Sequence, residues 1–512
     1  MAAHEFTTPS TFSTSRPVRW WLAAALLPFL VVAVASFAHP PAATDGDYAQ
    51  YLLHAKAIAE GRSYSDIGYI YTDLNLVGPA NQPPGWPLVL APFVRVFGME
   101  SPVIKLLVVL LIGAFALIAG QYHVRRGEAL AGVLVAATVP LTLELQRATG
   151  SALSDPLFCV LVWATLCTAD QAGSWRRSLV VALLAVAALS VRVAGVALVP
   201  ALLLHALLRQ RSLTLRALAP WLGLGLLVVV LGVVASDHIP FMSRMTGVFT
   251  GLPDRAQAVA MTYRFALSDA ALHPFASPMA NDIWHLIAAV PLVVGAWRWF
   301  TGSVGSPAWC FALFYGVVLV FAPVREPRYA WPLAPIVTMW IVTGAMWLAG
   351  RIPRPAVRTL APRVVAATMA IVTAGATLQL ARRPAPRSLQ GDPDTIQVFE
   401  WARAELQKEG SRLRVVFPNP RVLTLETGVP AMGIPSGPDS TVLAELEVKR
   451  ISHVVLPIQP SRIPEHMLAT LALESPLRFP VLFRNATYDV RRFVAVPDST
   501  GAASGSSLTQ PR

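Results

Sequence analysis

Two aspartates, a histidine and a lysine, Asp45, Asp47, His54 and Lys56, open the stretch of residues 45–98, which lies between two long apolar segments. Beside a membrane face such groups are costly unless paired, solvated or used. Asp47 precedes a helix-like run in which Tyr48, Tyr51, Leu52, Ala55 and Ile58 recur at three and four residues, ending at Gly61. Two roles are open to a carboxylate at such a helix start: a cap accepting backbone amides, or a general base taking a proton from an acceptor hydroxyl. His54, on an amphipathic helix, reads as an interfacial surface residue. Further along, Asp155 opens an apolar run, where it can cap the helix or orient an arginine. Arg192 lies between two apolar runs, and Arg325 and Arg328 stand just before a late one.

The elements that must position these residues are set by composition. With 512 residues, 54% of them hydrophobic and only 14% charged, and a mean hydropathy of +0.54, the chain has lipid as its main solvent. Its net charge of +12 comes from short basic clusters between apolar segments, a topological signal and not the basic face of a nucleic-acid binder. Cys159, Cys167 and Cys310 fall inside apolar segments, as packing residues do. Neither a CxxC nor an HxxxH pair occurs, so the spacing supports no structural zinc. No Walker loop and no GxGxxG before a strand provides a nucleotide site.

Apolar runs predict eleven spans, at about 20–38, 103–121, 128–145, 154–170, 179–191, 194–208, 218–236, 284–300, 307–323, 329–349 and 364–381. The first follows Arg16 and Arg19 and is long enough for a retained span. The run 179–208 is read as two short helices breaking at Arg192 and Gly195. That choice leaves Arg125 and Arg126, Arg176 and Arg177, Arg209, Arg211 and Arg216, Arg298, and the cluster from Arg351 to Arg363 cytoplasmic together with the amino terminus. The same parity puts loops 39–102 and 237–283 and everything beyond residue 382 outside. The second loop carries an expected interfacial helix over 255–271.

Residues 1–382 thus form the expected transmembrane domain, and 383–394, with Pro384 and Pro386, a linker. Residues 395–498 read as a small α/β extracytoplasmic domain, with a helix over 395–409, strands over 414–417 and 452–457, and a closing hairpin of 479–484 with 488–496 around Asn485. Asn485 begins a glycosylation sequon expected to be silent. The tail 499–512 has the composition of a disordered segment.

The stretch DYAQYLLHAKAIAEGRSY resembles the first-loop motif of GT-C type polytopic membrane glycosyltransferases, in which an acidic residue precedes a tyrosine, an alanine-rich helix and a glycine. PPGWPLVLAPFVRVFG from Pro83, SALSDPLF around Asp155, and REPRYAWPLAP from Arg325 are similar to later motifs of that class, in the same order. By pattern the nearest groups are the protein O-mannosyltransferases and the aminoarabinose transferases of lipid A. The family often carries two adjacent acidic residues in the first loop, whereas Gly46 separates Asp45 from Asp47 here.

The resemblance implies an inner-membrane enzyme that moves a sugar from a polyprenyl-phosphate donor to a glycan, lipid or protein acceptor on the outer face. Asp47 would be the base, with Asp45 as the alternative, Tyr51 and Gly61 fixing the register, and the reaction would invert the anomeric carbon. Arg325, Arg328 and Arg192, with His54 and Lys56, would hold the donor phosphate, since guanidinium pairs with phosphate bidentately. Trp86 and Tyr69 would stack on the sugar or belong to an aromatic belt. No cofactor is implied; a divalent metal stays open, because one carboxylate pair is a poor site without further ligands. A lipid flippase or a membrane scaffold is the competing class.

Overall fold

The computed structural model describes residues 16–37, 46–72, 82–99, 102–142, 145, 149–171, 174–209, 271–321, 326–382 and 389–495. The expected span 218–236, the helix 255–271 up to residue 270, Asp45, Arg325 and the tail 499–512 lie outside them. The described residues fall into two compact units, one within 1–42, 54–62 and 80–386, the other within 43–53, 63–79 and 387–512.

The first unit is helical. In chain order it holds α1 (Arg16–Ala24), α2 (Leu27–Phe37), the later turns of α3 (Gly46–Ala59), α4 (Gly85–Phe97), α5 (Pro102–Arg125), α6 (Ala129–Thr138), α7 (Asp155–Ala169), α8 (Trp175–Val191), α9 (Leu198–Arg209), α10 (Pro278–Gly302), α11 (Pro307–Phe321), α12 (Ala334–Gly350) and α13 (Pro355–Ala381). Among the described residues, five helical segments are long and apolar enough to cross a membrane: Val18–Phe37, Pro102–Arg125, Pro278–Gly302, Pro327–Gly350 and Thr359–Ala381. α10 leaves Leu286, Ile287, Val290 and Val293 more than half exposed, an apolar stripe that water would not tolerate and lipid would.

The break expected in the run 179–208 falls at Arg192, which is extended (φ −149°, ψ 134°) between the end of α8 and a 3-10 turn, Val193–Ala197. Close approach of helices rests on glycine. A Cβ on Gly344 would lie 1.9 Å from Pro291 O, and one on Gly295 would lie 1.8 Å from Trp340 O, so α10 and α12 touch backbone to backbone. Small residues permit this contact where apolar burial gives no drive in lipid.

The second unit is a six-stranded sheet with helices. Its strands are β1 (Tyr69–Ile70), β2 (Val415–Val416), β3 (Ala431–Met432), β4 (His453–Pro457), β5 (Val481–Arg484) and β6 (Tyr488–Arg492), in the order β1-β3-β2-β4-β6-β5. The first four pair in parallel and the last two join antiparallel. Helices α14 (Pro393–Glu409), α15 (Pro420–Thr427), α16 (Asp439–Val448) and α17 (Ile463–Glu474) complete it. Val416, Met432, Leu446, Val454 and Phe479 are fully buried in its core, each worth about 1.5–3 kcal/mol of transfer free energy.

The expected helix, strands and hairpin of residues 395–498 occur here, but α14 starts at Pro393, inside the expected linker, because Asp392 caps it by accepting from Thr395 N at 3.0 Å. The unit also takes in β1 from the first loop, which the boundary at residue 395 leaves out. Asn485 makes the hairpin turn: its Oδ1 accepts from Tyr488 N at 2.7 Å and its Nδ2 donates to Asp394 O at 2.9 Å.

Candidate active site

Asp47 stands in the first turn of α3, as its spacing predicted. Its Oδ1 accepts a hydrogen bond from Arg421 Nη1 at 3.0 Å. Both side chains are about one-fifth exposed, at 25% for Asp47 and 18% for Arg421, so the pair is partly withdrawn from water and less screened than a surface ion pair. The geometry is built by three neighbours. Pro420 starts α15 at its first turn and places Arg421 one residue inside. The guanidinium lies 5.6 Å from the centre of the Tyr69 ring, a cation–π contact from β1. Gly46, just before Asp47, lets α3 approach: a Cβ there would sit 3.1 Å from Asn419 Oδ1 and 3.4 Å from Arg421 Cζ.

β1 is itself held close to α15. Gly68 has φ +73°, and a Cβ on it would come within 2.6 Å of Thr424 Cγ2, so both the conformation and the space require glycine. Its carbonyl accepts from Ala431 N at 3.0 Å, which fixes the β1–β3 register. Tyr51, one turn beyond Asp47 on α3, is buried at 4% exposure; burial pushes the Tyr64 phenol up, with a smaller push from Tyr51. Among the described residues, the arrangement sets the Asp47 carboxylate against the Arg421 guanidinium at a helix start.

The first unit gathers the other charged residues. Asp155 begins α7 at 3% exposure, and its Oδ1 pairs with Arg192 Nη1 at 2.5 Å. Asp155 Oδ2 is buried with no hydrogen-bond partner among the described residues. Arg192 also reaches Ser154 Oγ at 3.4 Å and lies 4.9 Å from the centre of the Tyr329 ring. Arg328 is 5.8 Å from the same ring and pairs with Glu326.

Two anchors hold this turn (Pro327–Leu333): Tyr315 Oη donates to Tyr329 O at 2.8 Å, and Trp163 Nε1 donates to Pro332 O at 2.9 Å. Two arginines thus flank one tyrosine, each beside a carboxylate. Asp155 is deeply buried, whereas Glu326 is 40% exposed and the weaker of the two holds.

The expected site residues are therefore distributed as follows. Asp47 is paired with Arg421, a residue that the sequence reading did not single out; Arg192 is paired with Asp155 and Arg328 with Glu326. Asp45 and Arg325 lie outside the described residues. His54 is 0% exposed, so the interfacial surface position expected of it is corrected: its side of α3 is buried. Lys56 is partly exposed and faces Glu60 at 4.0 Å, one helical turn on. Trp86 is also corrected, being 0% exposed with Nε1 donating to Ala152 O at 2.6 Å, an interior anchor and not a belt residue. Tyr69 is likewise buried, under Arg421. Nothing in the segment NPRVL around Arg421 announces a partner in the first loop, beyond a proline that begins a helix.

No protein-family model matches the chain, and no curated protein is similar to it in sequence. Solved structures are similar in fold. ArnT from Cupriavidus metallidurans bound to undecaprenyl phosphate superposes with a TM-score of 0.53 at 15% identity, covering 93% of this chain and 98% of that one. The Archaeoglobus fulgidus oligosaccharyltransferase in complex with zinc and sulfate gives 0.54 at 12% identity, covering 90% of this chain and 71% of that one. The AglB structure from the same organism, with an inhibitory peptide and a dolichol-phosphate, gives 0.52 at 12% identity, covering 88% and 70%. The GT-C architecture that the first-loop motif resembles is the fold of this chain, shared with ArnT and AglB over nearly its whole length.

Proposed function

We propose that the protein is an integral membrane glycosyltransferase that moves one sugar from a polyprenyl-phosphate donor to a hydroxyl-bearing acceptor on the extracytoplasmic face, with inversion. The observation that carries this reading is Asp47 in the first turn of α3, oriented by Arg421, in a chain with the fold of ArnT and AglB, whose structures hold undecaprenyl phosphate and dolichol-phosphate.

In the reaction the acceptor oxygen attacks the anomeric carbon while its proton passes to the Asp47 carboxylate. The bond from that carbon to the phosphate oxygen breaks, and the electron pair leaves with polyprenyl phosphate. Inversion follows from direct displacement at one carbon. Arginine donors aimed at the departing phosphate stabilise the charge that develops there. Arg192 and Arg328 are the described candidates, with Arg325 close to Arg328 in sequence. Glu326, the more exposed of the two carboxylate partners, is the one an incoming phosphate most readily replaces. Asp155 holds Arg192 in place.

The test is Asp47→Asn. Turnover of a polyprenyl-phosphate sugar should fall by orders of magnitude with donor binding retained. A variant that turns over at the wild-type rate removes Asp47 from the mechanism. Loss of one hexose, pentose or amino sugar from the lipids or glycans of cells lacking the protein identifies the sugar.

A further inference from the structure

Outside the proposed active site, the second unit carries a cluster of different chemistry. Trp401, Glu405 and Glu409 recur at four-residue spacing, so they share one face of α14. That face meets His453, the first residue of β4, in the middle of the sheet. One nitrogen of His453 and one carboxylate oxygen from each glutamate lie within 4.8 Å of one another. His453 is 1% exposed, with the edge of the Trp401 ring packed on it at 5.4 Å. The glutamates are about one-fifth exposed, at 16% and 20%.

Ion pairing within the cluster does not account for this grouping. No hydrogen bond or ion pair joins the imidazole to either carboxylate among the described residues. The carboxylates instead meet Lys408 at 2.9 Å and Arg492 at 3.6 Å, cations that are 69% and 57% exposed and free to swing into solvent. The imidazole is oriented from behind. Ser452 Oγ donates to Arg414 O at 3.1 Å, so at 2.9 Å from His453 Nδ1 it is the acceptor and Nδ1 keeps the proton. The lone pair is then on Nε2. A histidine whose one nitrogen is fixed by a hydrogen bond while the other offers its lone pair is the arrangement found behind metal ligands.

We infer that Glu405, Glu409 and His453 form a divalent-cation site, with one carboxylate oxygen from each glutamate and Nε2 of His453 as ligands and water completing the sphere. The donor set, two oxygens and one imidazole with no thiolate, suits zinc, and two carboxylates balance its charge. Zinc–ligand bonds of about 2.0–2.2 Å require the two glutamates to turn inward from their pairings with Lys408 and Arg492. Pinning α14 to β4 would tie the helix that opens the C-terminal segment to the centre of the sheet. The site is independent of Asp47 and of the proposed transfer reaction.

The experiment uses the full-length protein in detergent, stripped with a chelator, exposed to zinc chloride, dialysed, and assayed for metal by mass spectrometry. The wild type should retain one more zinc per chain than the double variant Glu405→Gln, Glu409→Gln, and zinc should raise the Tm of the wild type only. The single variant Glu409→Gln, which keeps the helix and the ring in place, should bind zinc at least tenfold more weakly. Zinc retained equally by wild type and variants, or retained by neither, overturns the assignment.

Discussion

Asp47 Oδ1 and Arg421 Nη1 are 3.0 Å apart, although one residue stands in the first turn of a first-loop helix and the other in the first turn of a helix far along the C-terminal segment. The proposed base is therefore oriented by a guanidinium that is itself held on Tyr69 at 5.6 Å. Arg421→Gln should lower kcat for sugar transfer by about tenfold to a hundredfold, because a misplaced catalytic group costs rate in that range. KM for the donor should change far less. Arg421→Lys should restore part of the rate, since the charge returns without the planar fork. Steady-state kinetics with a polyprenyl-phosphate sugar decide it, and an unchanged kcat in Arg421→Gln would show that the pair is structural only.

Asp155 and Arg192 make the most buried ion pair of the first unit's charged cluster, at 4% and 16% side-chain exposure. Removing one partner leaves the other charged and buried, which costs about 3–5 kcal/mol. Asp155→Ala should therefore lower the Tm strongly, and Arg192→Met should do so as well. The double variant should melt closer to the wild type than either single one, because no lone charge remains. Thermal unfolding of the three variants in detergent checks the expected non-additivity.

Backbone contact between α10 and α12 gives a sharper test of packing. Gly344→Leu must force apart Pro291 O and the new side chain, which begins 1.9 Å away at its Cβ. Overpacking of this kind costs about 1–3 kcal/mol or more, and the variant should express poorly or melt early. Gly302→Ala, at the end of α10, meets nothing within 4 Å and should be neutral. Comparing their melting temperatures separates close helix contact from a general intolerance of change in α10 and α12.

Much of the helical unit was legible because lipid demands long apolar runs, and each expected span that falls within the described residues coincides with helical structure. The break at Arg192 was legible too, since the tendency of basic clusters to share one side asks for two helices in that run. In the second unit, β4 could be found because a central strand buried on both faces reads as a continuous run, HVVLP. β1 could not. Two residues, Tyr69 and Ile70, carry no pattern by themselves, and their pairing with Ala431 and Met432 is fixed by long-range register that periodicity does not encode.

The site was legible in part for the same reason. A helix start and a carboxylate are local features, so the position of Asp47 on α3 could be read from the sequence; a partner supplied from a distant element is not local, so its pairing with Arg421 could not. Arg192 and Arg328 were recognised as arginines before or between spans, but their meeting around Tyr329 depends on how Trp163 and Tyr315 hold one short turn. His54 was misread because the amphipathic pattern of α3 identifies a buried stripe without saying that its other face is buried as well.

The second unit should also show its packing in its response to alkali. Burial pushes the Tyr488 phenol up from its ordinary 10.0, against the opposing hydrogen bond from Thr395 and with a smaller push from Asp392, Asp394 and Glu465. Thr395 Oγ1 lies 3.3 Å from Tyr488 Oη, between the start of α14 and β6. In the unfolded chain the phenol loses its proton near 10.0, while the folded chain still holds it. The folded state then binds more protons, so stability falls as pH rises above that value. Below it both states are protonated and Tyr488 contributes no pH dependence. Tyr488→Phe removes this source of alkaline loss, at the expense of the Thr395 hydrogen bond. Its Tm should therefore start slightly below that of the wild type at pH 8 and decline less steeply above pH 10, and parallel curves would mean that the phenol titrates normally in the folded protein.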